Sequence, residues 1–547
     1  MSTSVGGRIE TVQRHQTLFA ADYWRLAGLV LVAVAVHAWL IAHTALTARD
    51  SLGFARLALC FETPSAAPPI DHDRPNYTLD HVRAAEQPPG YPLAVWAVDA
   101  VHRHLSDRPV ADRVLLSCQL ANALATVLLV VPMYLIGRML FGRNTGFAAA
   151  LLFQVLPVPA RITSDGLTEG VYLLVTGVAV VLGVRAVRQP RISGFLLCGL
   201  AAGASYLVRP EGLLVAAAPA AVVLWFGLTR HWPRDIALGR LTALVVGVAL
   251  VAGPYIILIG KLSNKPTHGA LIEGTPGPIF KGGFDSKLVT VGRPLVAAWW
   301  DPARDAGTQR DLWATKAVLK ELSQSGNYVV WPLAAFAALA LRRRFATEPG
   351  LWVLALLVAG NAALLLYMAA RVGYVSERHT MLLTTIGCQF AAAGLPLLAA
   401  AVGQLLPRID RLGVRVTAAG LLVALVASAL PFALKSMHPH RQGHKHAGLW
   451  LSSRLTADDA IVDPYCWAEW YAGRTLYRTA WNPKTSRNTY VIVENTSASP
   501  HSRLPELPTA KRLTEDPSAR VVYHWPENVS KDEAAVKVYK LGPGPDE

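Results

Sequence analysis

Charge is scarce in this 547-residue chain: Asp, Glu, Lys and Arg together make up 16%, against 52% hydrophobic residues. With a mean hydropathy of +0.33, that scarcity excludes an ordinary soluble domain, in which about a quarter of residues are charged. Cysteine is rare too. There are five, and Cys118, Cys198 and Cys388 fall inside apolar runs, so no disulfide scaffold is available and Cys60–Cys466 is the one bridge the positions allow. Internal repeats and low-complexity tracts are absent. No small-residue cleavage pattern follows the first apolar run, which therefore reads as a span and not as a signal peptide.

What is abundant is long apolar sequence. Runs suited to crossing a bilayer of about 30 Å occur at residues 26–46, 114–137, 145–160, 170–184, 192–208, 212–229, 241–260, 327–341, 350–370, 380–406 and 416–434, eleven in all. The net charge of +15 raises the question of a nucleic-acid partner, but the arginines are spread over alternate loops. Arg8, Arg14 and Arg25 precede the first run. Arg138 and Arg143 follow the second, Arg185, Arg188 and Arg191 the fourth, and Arg230, Arg234 and Arg240 the sixth. Arg342, Arg343 and Arg344 follow the eighth, and Arg408, Arg411 and Arg415 the tenth. One topology satisfies them all, with these loops and the N-terminus cytoplasmic and the C-terminus outside. The expectation is a mainly α, multi-pass protein of the cell (inner) membrane, with no nucleic-acid partner.

Two loops on the expected outer side are long, 47–113 and 261–326, and loops of that size are usually functional or disordered. Residues 93–105 have the pattern of an amphipathic helix lying on the membrane surface. Beyond the membrane part, 1–434, residues 435–547 read as a separate small α/β unit. A helical stretch near 448–455 is followed by strand-like runs at 460–463, 489–494, 520–525 and 535–541, bounded by Pro, Asn and Asp.

Charged groups gather where apolar runs end on that side. Asp50 is the first carboxylate after the 26–46 run, and Asp165 and Glu169 stand at helical spacing on one face. Arg209, Pro210 and Glu211 separate two runs, and Glu377, Arg378 and His379 precede another. Each alone has a plain structural reading, as an arginine snorkelling to headgroups or a carboxylate capping a helix. Together they suit a carboxylate that removes a proton while cations stabilise a departing phosphate. Asp71 and Asp73 flank His72 in a lone D-x-D pattern, read either as a solvated loop or as a divalent-metal site for Mg or Mn. His438, His440, His444 and His446 lie beside Lys435, Arg441 and Lys445, and read as a headgroup-binding stretch in preference to a metal site.

In their order these motifs resemble the C-type (GT-C) membrane glycosyltransferases, in the branch of the protein O-mannosyltransferases and lipid A aminoarabinose transferases. The carriers are Asp50, the Gln-Pro-Pro-Gly-Tyr-Pro run at 87–92, residues 164–169 with Tyr172, the Tyr-Leu-Val-Arg-Pro-Glu-Gly run at 206–212, and residues 377–382. The resemblance implies inverting transfer of a hexose or pentose from a polyprenyl-phosphate donor to a hydroxyl of a lipid, glycan or protein acceptor on the outer face. In it Asp50 is the general base, and Arg378, with His379 and Arg209, binds the lipid phosphate. Asp165 and Glu169 position the acceptor or hold a metal, and Tyr91 and Glu377 complete the expected substrate-binding set.

The chain departs from the family where a second acidic residue often stands beside the catalytic one. Arg49 and Ser51 flank Asp50; Arg49 lowers its pKa and weakens it as a base, which leaves Glu62, Asp71 or Asp73 to share the role. A multi-pass transporter is the alternative from another class, although it calls for repeats and for charges near mid-bilayer. A cell-envelope scaffold working through the terminal unit is a third.

Overall fold

The computed structural model describes residues 20–62, 77–265, 298–299, 309–406, 411–456, 458–474, 487–495 and 506–542. Backbone polar groups in hydrocarbon must be satisfied within the segment, and each of the eleven apolar runs is accordingly helical. The chain opens with α1 (Ala20–Ala42), followed by three loop helices, α2 (Asp50–Glu62), α3 (Tyr77–Ala84) and α4 (Gly90–Leu105). The bundle continues with α5 (Val110–Leu140), α6 (Arg143–Val155), α7 (Pro157–Ser164), α8 (Glu169–Arg188), α9 (Ile192–Val208), α10 (Leu213–Leu228) and α11 (Arg234–Ile259). After α12 (Gln309–Ser325) come α13 (Val330–Ala340), α14 (Pro349–Val372), α15 (Met381–Leu405) and α16 (Gly413–Ala433).

Among the described residues, eight helices are long and apolar enough to cross a membrane, and the bent pair α6–α7 makes a ninth if counted as one span. The two remaining runs are the shorter helices α9 and α13. At 11 residues, α13 rises only about 17 Å and does not cross alone. The 66° bend between α6 and α7 falls at Leu156–Pro157, where proline lacks an N–H and forces its predecessor into the extended backbone that Leu156 adopts. That bend turns α7 so that Asp165, immediately after it, returns towards the start of α2.

The arginine-bearing loops meet at one end of the bundle. Arg344 Nη2 donates to the Leu140 carbonyl at 2.8 Å, Arg188 pairs with Glu348 at 3.1 Å, and buried Asp22 faces Arg138 and Arg143 at 3.6 and 3.3 Å. Glycine permits a close helix crossing between α9 and α11. A Cβ on Gly199 would stand 2.2 Å from the Leu244 carbonyl oxygen, and one on Gly247 2.4 Å from that of Leu196.

The opposite end carries α2 to α4 and the terminal unit, which contains α17 (Gln442–Ser452), α18 (Trp467–Tyr471) and α19 (Leu507–Thr514). Its sheet comprises β1 (Ala460–Val462), β2 (Thr489–Glu494), β3 (Arg520–Trp525) and β4 (Val536–Leu541), in the order β1-β2-β4-β3. The first pair is parallel and the others antiparallel, with Ala460 opposite Thr489 and Thr489 opposite Leu541. This unit rests on the membrane part through Lys445 Nζ on Asp112 at 2.5 Å and the Trp470 indole on the Ala111 carbonyl at 3.0 Å.

Several sequence expectations change in detail. Helix α17 begins before residue 448, and α4 begins at Gly90, exposing Leu93, Trp96, Val101 and Leu105 while burying Tyr91, Val95 and Asp99. All five cysteines are free and buried, so the Cys60–Cys466 bridge is not formed. The histidine stretch is not a headgroup-facing surface throughout. His444 is fully buried against Glu494 at 2.7 Å, and His438 turns inward to Asp165.

Candidate active site

Asp50 is the first residue of α2, where the helix dipole favours a carboxylate. Its partner comes from 328 residues away: the Arg378 guanidinium donates to Asp50 Oδ2. Arg378 projects from a one-turn 3-10 segment, Glu377–Thr380, ahead of α15. Ser376 locks that turn, its N–H and hydroxyl both meeting His379 Nδ1, at 3.2 and 2.9 Å. Because a backbone N–H can only donate, Nδ1 is an acceptor and the neutral ring carries its proton on Nε2. Glu377 opens the turn and is half-buried.

The charge of Arg378 is the main influence on Asp50, holding its carboxyl below the usual range against the opposing effect of burial, with the Arg378 hydrogen bond, Arg49 and Arg441 adding to it. Arg49, the sequence neighbour expected to lower the Asp50 pKa, does so as a smaller influence than Arg378, and its guanidinium also meets Glu506 at 3.6 Å and Cys466 Sγ at 3.5 Å. The Asp50 side chain remains 48% exposed, so it is open to an incoming group. Two titratable neighbours escaped the sequence reading. Burial, reinforced by the Asp50 charge, pushes Glu86 up to about 7. It stands one residue before the Gln-Pro-Pro run, the only local signal that could have drawn attention to it.

A second knot of charge lies beside the first. Arg209, at the end of α9, binds Glu169 Oε1 at 2.7 Å and faces Glu211 at 3.6 Å, and Lys265 reaches Glu211 at 3.5 Å. Arg209 also stacks over the Tyr172 ring at 5.4 Å. Burial pulls Lys265 down to about 8; Glu211 opposes that fall, while Arg209 and Arg378 add to it. This lysine is the other missed residue, since nothing in its local sequence distinguishes it.

Arg209, Arg378, His379, Glu211 and Tyr172 supply the polar lining of an open cleft, and Leu364, Leu365 and Met368 of α14 contribute an apolar wall. Asn361, deeper on the same helix, is 4% exposed, and its Oδ1 has no hydrogen-bond partner. The cleft is thus amphipathic, with two arginines and the Glu211 carboxylate at one part of its wall and aliphatic side chains at another.

Residues 92–257 match the family of dolichyl-phosphate-mannose-protein mannosyltransferases. In structure the chain is similar to ArnT from Cupriavidus metallidurans bound to undecaprenyl phosphate, at 14% identity and a TM-score of 0.54, with 96% of this chain and 100% of that one covered. The chain has the GT-C glycosyltransferase fold. It is also similar to the archaeal oligosaccharyltransferase AglB from Archaeoglobus fulgidus, in complex with an inhibitory peptide and a dolichol-phosphate. That likeness has 13% identity and a TM-score of 0.54 and covers 85% of this chain, which spans only 60% of the oligosaccharyltransferase's length. No curated protein sequence matches the chain.

Within this GT-C bundle the family match takes in Asp165, Glu169 and Arg209 but neither Asp50 nor Arg378. Asp165 does not reach the cleft with an unengaged carboxylate. Its Oδ1 accepts from the Ala48 and Gly166 N–H groups at 2.8 and 2.7 Å, and its Oδ2 accepts from His438 Nε2 at 2.9 Å. Burial opposes its ionisation, yet His438, Arg441 and the Ala48 N–H hold its pKa below the ordinary value. Tyr91 is fully buried and donates to the Cys118 carbonyl at 2.9 Å, with its ring edge-on to Phe54. It braces α4 against α5 instead of lining the cleft.

Asp71 and Asp73 lie outside the described residues. Among the described residues no group of three or more His, Cys, Asp or Glu side chains could hold a metal ion. Asp165 and Glu169, the pair expected to do so, are directed to separate partners.

Proposed function

We propose that the chain is an inverting glycosyltransferase that moves a sugar from a polyprenyl-phosphate donor to an acceptor hydroxyl at the outer face of the membrane. The observation that carries this reading is the cleft itself, where Arg209, Arg378 and His379 stand beside the aliphatic wall of α14. A phosphate joined to an isoprenoid chain has those two characters in one molecule. Arginine suits the head because its planar fork matches phosphate oxygens. The outer location is supported by the arginine loops gathering at the opposite end, and a donor carried in lipid needs no cytoplasmic nucleotide sugar.

In this reading the acceptor oxygen bonds to the anomeric carbon as the carbon–oxygen bond to phosphate breaks, and that bonding pair departs on the phosphate. Asp50 accepts the acceptor's proton, while Arg378 and Arg209, with Lys265 close by, take up the charge developing on the leaving group. The Asp50–Arg378 pair makes the unliganded carboxylate a poor base. A donor phosphate competes for Arg378 and removes the main influence that lowers the pKa of Asp50, so donor binding itself activates the base. The terminal unit, 435–547, is an extracytoplasmic domain in this scheme, and the acceptor is a lipid, glycan or protein.

Purified protein in detergent, supplied with a labelled polyprenyl-phosphate sugar and a membrane extract as acceptor source, tests the proposal. Asp50→Asn should lose transfer while retaining donor binding, and Arg378→Ala should lose both. Transfer at the wild-type rate by both variants would sink it.

A further inference from the structure

The segment joining α16 to α17 runs beside the turn that presents Asp50. Met437 pairs with Thr44 in a parallel bridge: Ala45 N–H donates to the Met437 carbonyl at 3.2 Å, and Met437 N–H to the His43 carbonyl at 3.3 Å. The Ser436 hydroxyl reaches the same His43 carbonyl at 3.0 Å. Arg441 Nη1 then donates to the Thr47 carbonyl at 3.1 Å. His438 Nε2 donates to Asp165 Oδ2 at 2.9 Å, and Asp165 Oδ1 receives the Ala48 N–H at 2.8 Å. From His43 to Ala48 the backbone leading to Asp50 is therefore held by five hydrogen bonds at four residues, made by the junction itself or through Asp165.

His438 also has φ 53° and ψ 41°, a left-handed conformation that costs free energy in a residue other than glycine. Such strain persists only where the surroundings over-determine it. Here it is what lets the imidazole turn back from the chain to Asp165 while Arg441, three residues on, reaches Thr47.

We infer that His438 and Arg441 are positioning residues, and that the junction to the terminal unit is a strap that sets the catalytic carboxylate in place. The inference rests on the reading of Asp50 as the base. The last membrane helix and the extracytoplasmic unit thereby contribute to a site whose reacting groups all come from earlier in the chain. Neither residue touches donor or acceptor; His438 acts on the 43–48 turn through Asp165 and Arg441 through the Thr47 carbonyl, in addition to the effect of its charge on Asp50.

The test uses the full chain in detergent and measures kcat, donor KM, binding of unglycosylated polyprenyl phosphate, and unfolding. His438→Leu should lower kcat by about tenfold to a hundredfold, the loss expected when a reacting group is misplaced by up to about 1 Å. Donor KM and phosphate binding should stay within about twofold of wild type, because Arg209 and Arg378 are untouched. His438→Gln, which keeps an N–H donor at similar reach, should recover most of the rate. Arg441→Leu should repeat the kcat loss, and Arg441→Lys should relieve it.

Wild-type kcat in His438→Leu overturns the inference. So does a parallel loss of kcat, binding and unfolding resistance, or a failure of glutamine to rescue, since each marks a merely structural contact. Wild-type transfer by Asp50→Asn would instead overturn the assignment of the base, whatever the His438 variants do.

Discussion

Arg209→Met separates what this arginine does for the fold from what it does for the ligand. Its side chain is 10% exposed and that of Glu169 2%, and the two are joined at 2.7 Å. Among the described residues Glu169 has no second cation within ion-pair distance, whereas Glu211 keeps Lys265 at 3.5 Å. The substitution leaves the Glu169 carboxylate buried without its cation, and breaking such a pair from one side costs about 3–5 kcal/mol. Replacing both members removes the stranded charge, and apolar substitution of a whole buried pair is often neutral. Arg209→Met/Glu169→Met should therefore recover most of the lost stability.

The double variant should nevertheless fail to bind polyprenyl phosphate, because the cleft retains only one of its two arginines. Equilibrium unfolding by SDS in mixed micelles measures the first quantity, and retention of labelled polyprenyl phosphate measures the second. A single variant that loses less than about 1 kcal/mol, or a double variant no more stable than the single, would refute the view of Arg209 and Glu169 as a desolvated pair. A double variant that binds the phosphate normally would remove Arg209 from the site.

Other outcomes follow from the same geometry. Lys265, pulled down to about 8, carries its charge below that pH and loses it above. Polyprenyl-phosphate binding should weaken as pH rises through 8, and Lys265→Arg should flatten that profile. Gly170→Ala would place a Cβ 2.3 Å from the Asn122 carbonyl oxygen, forcing α8 and Glu169 away from α5 at a cost of about 1–3 kcal/mol. Its unfolding midpoint should fall, and transfer with it. Asn361→Leu removes a buried amide oxygen that has no partner, so stability should hold or rise by about 1 kcal/mol. Its donor KM should rise if the amide contacts the bound molecule, and an unchanged KM would exclude that contact.

The membrane helices were legible because hydrocarbon imposes a local rule: a segment of sufficient apolar length must satisfy its own backbone. The same rule drives charge into the loops, which is why Asp50, Arg209 and Arg378 stand out in the sequence without any knowledge of their contacts. Bilayer-crossing capacity was less legible than helicity. Short α13 and the bend at Pro157 depend on how apolar sequence is divided, and hydropathy averages over such breaks.

The sequence by itself thus determined the class of fold, the alternation of basic and polar loops, and a short set of charges worth attention. Only the tertiary structure decided which of them meet. Arg378 comes to Asp50 across 328 residues, while Arg49, one peptide away, is the smaller influence and also meets Glu506. Tyr91 lies in a motif yet serves the core, whereas Lys265 and Glu86 belong to no conspicuous pattern and acquire shifted pKa values from burial and neighbouring charge. Hydropathy is a sum over neighbours along the chain, but an ion pair, a cleft or a strap depends on neighbours in space, and those are set by how the helices bend and pack.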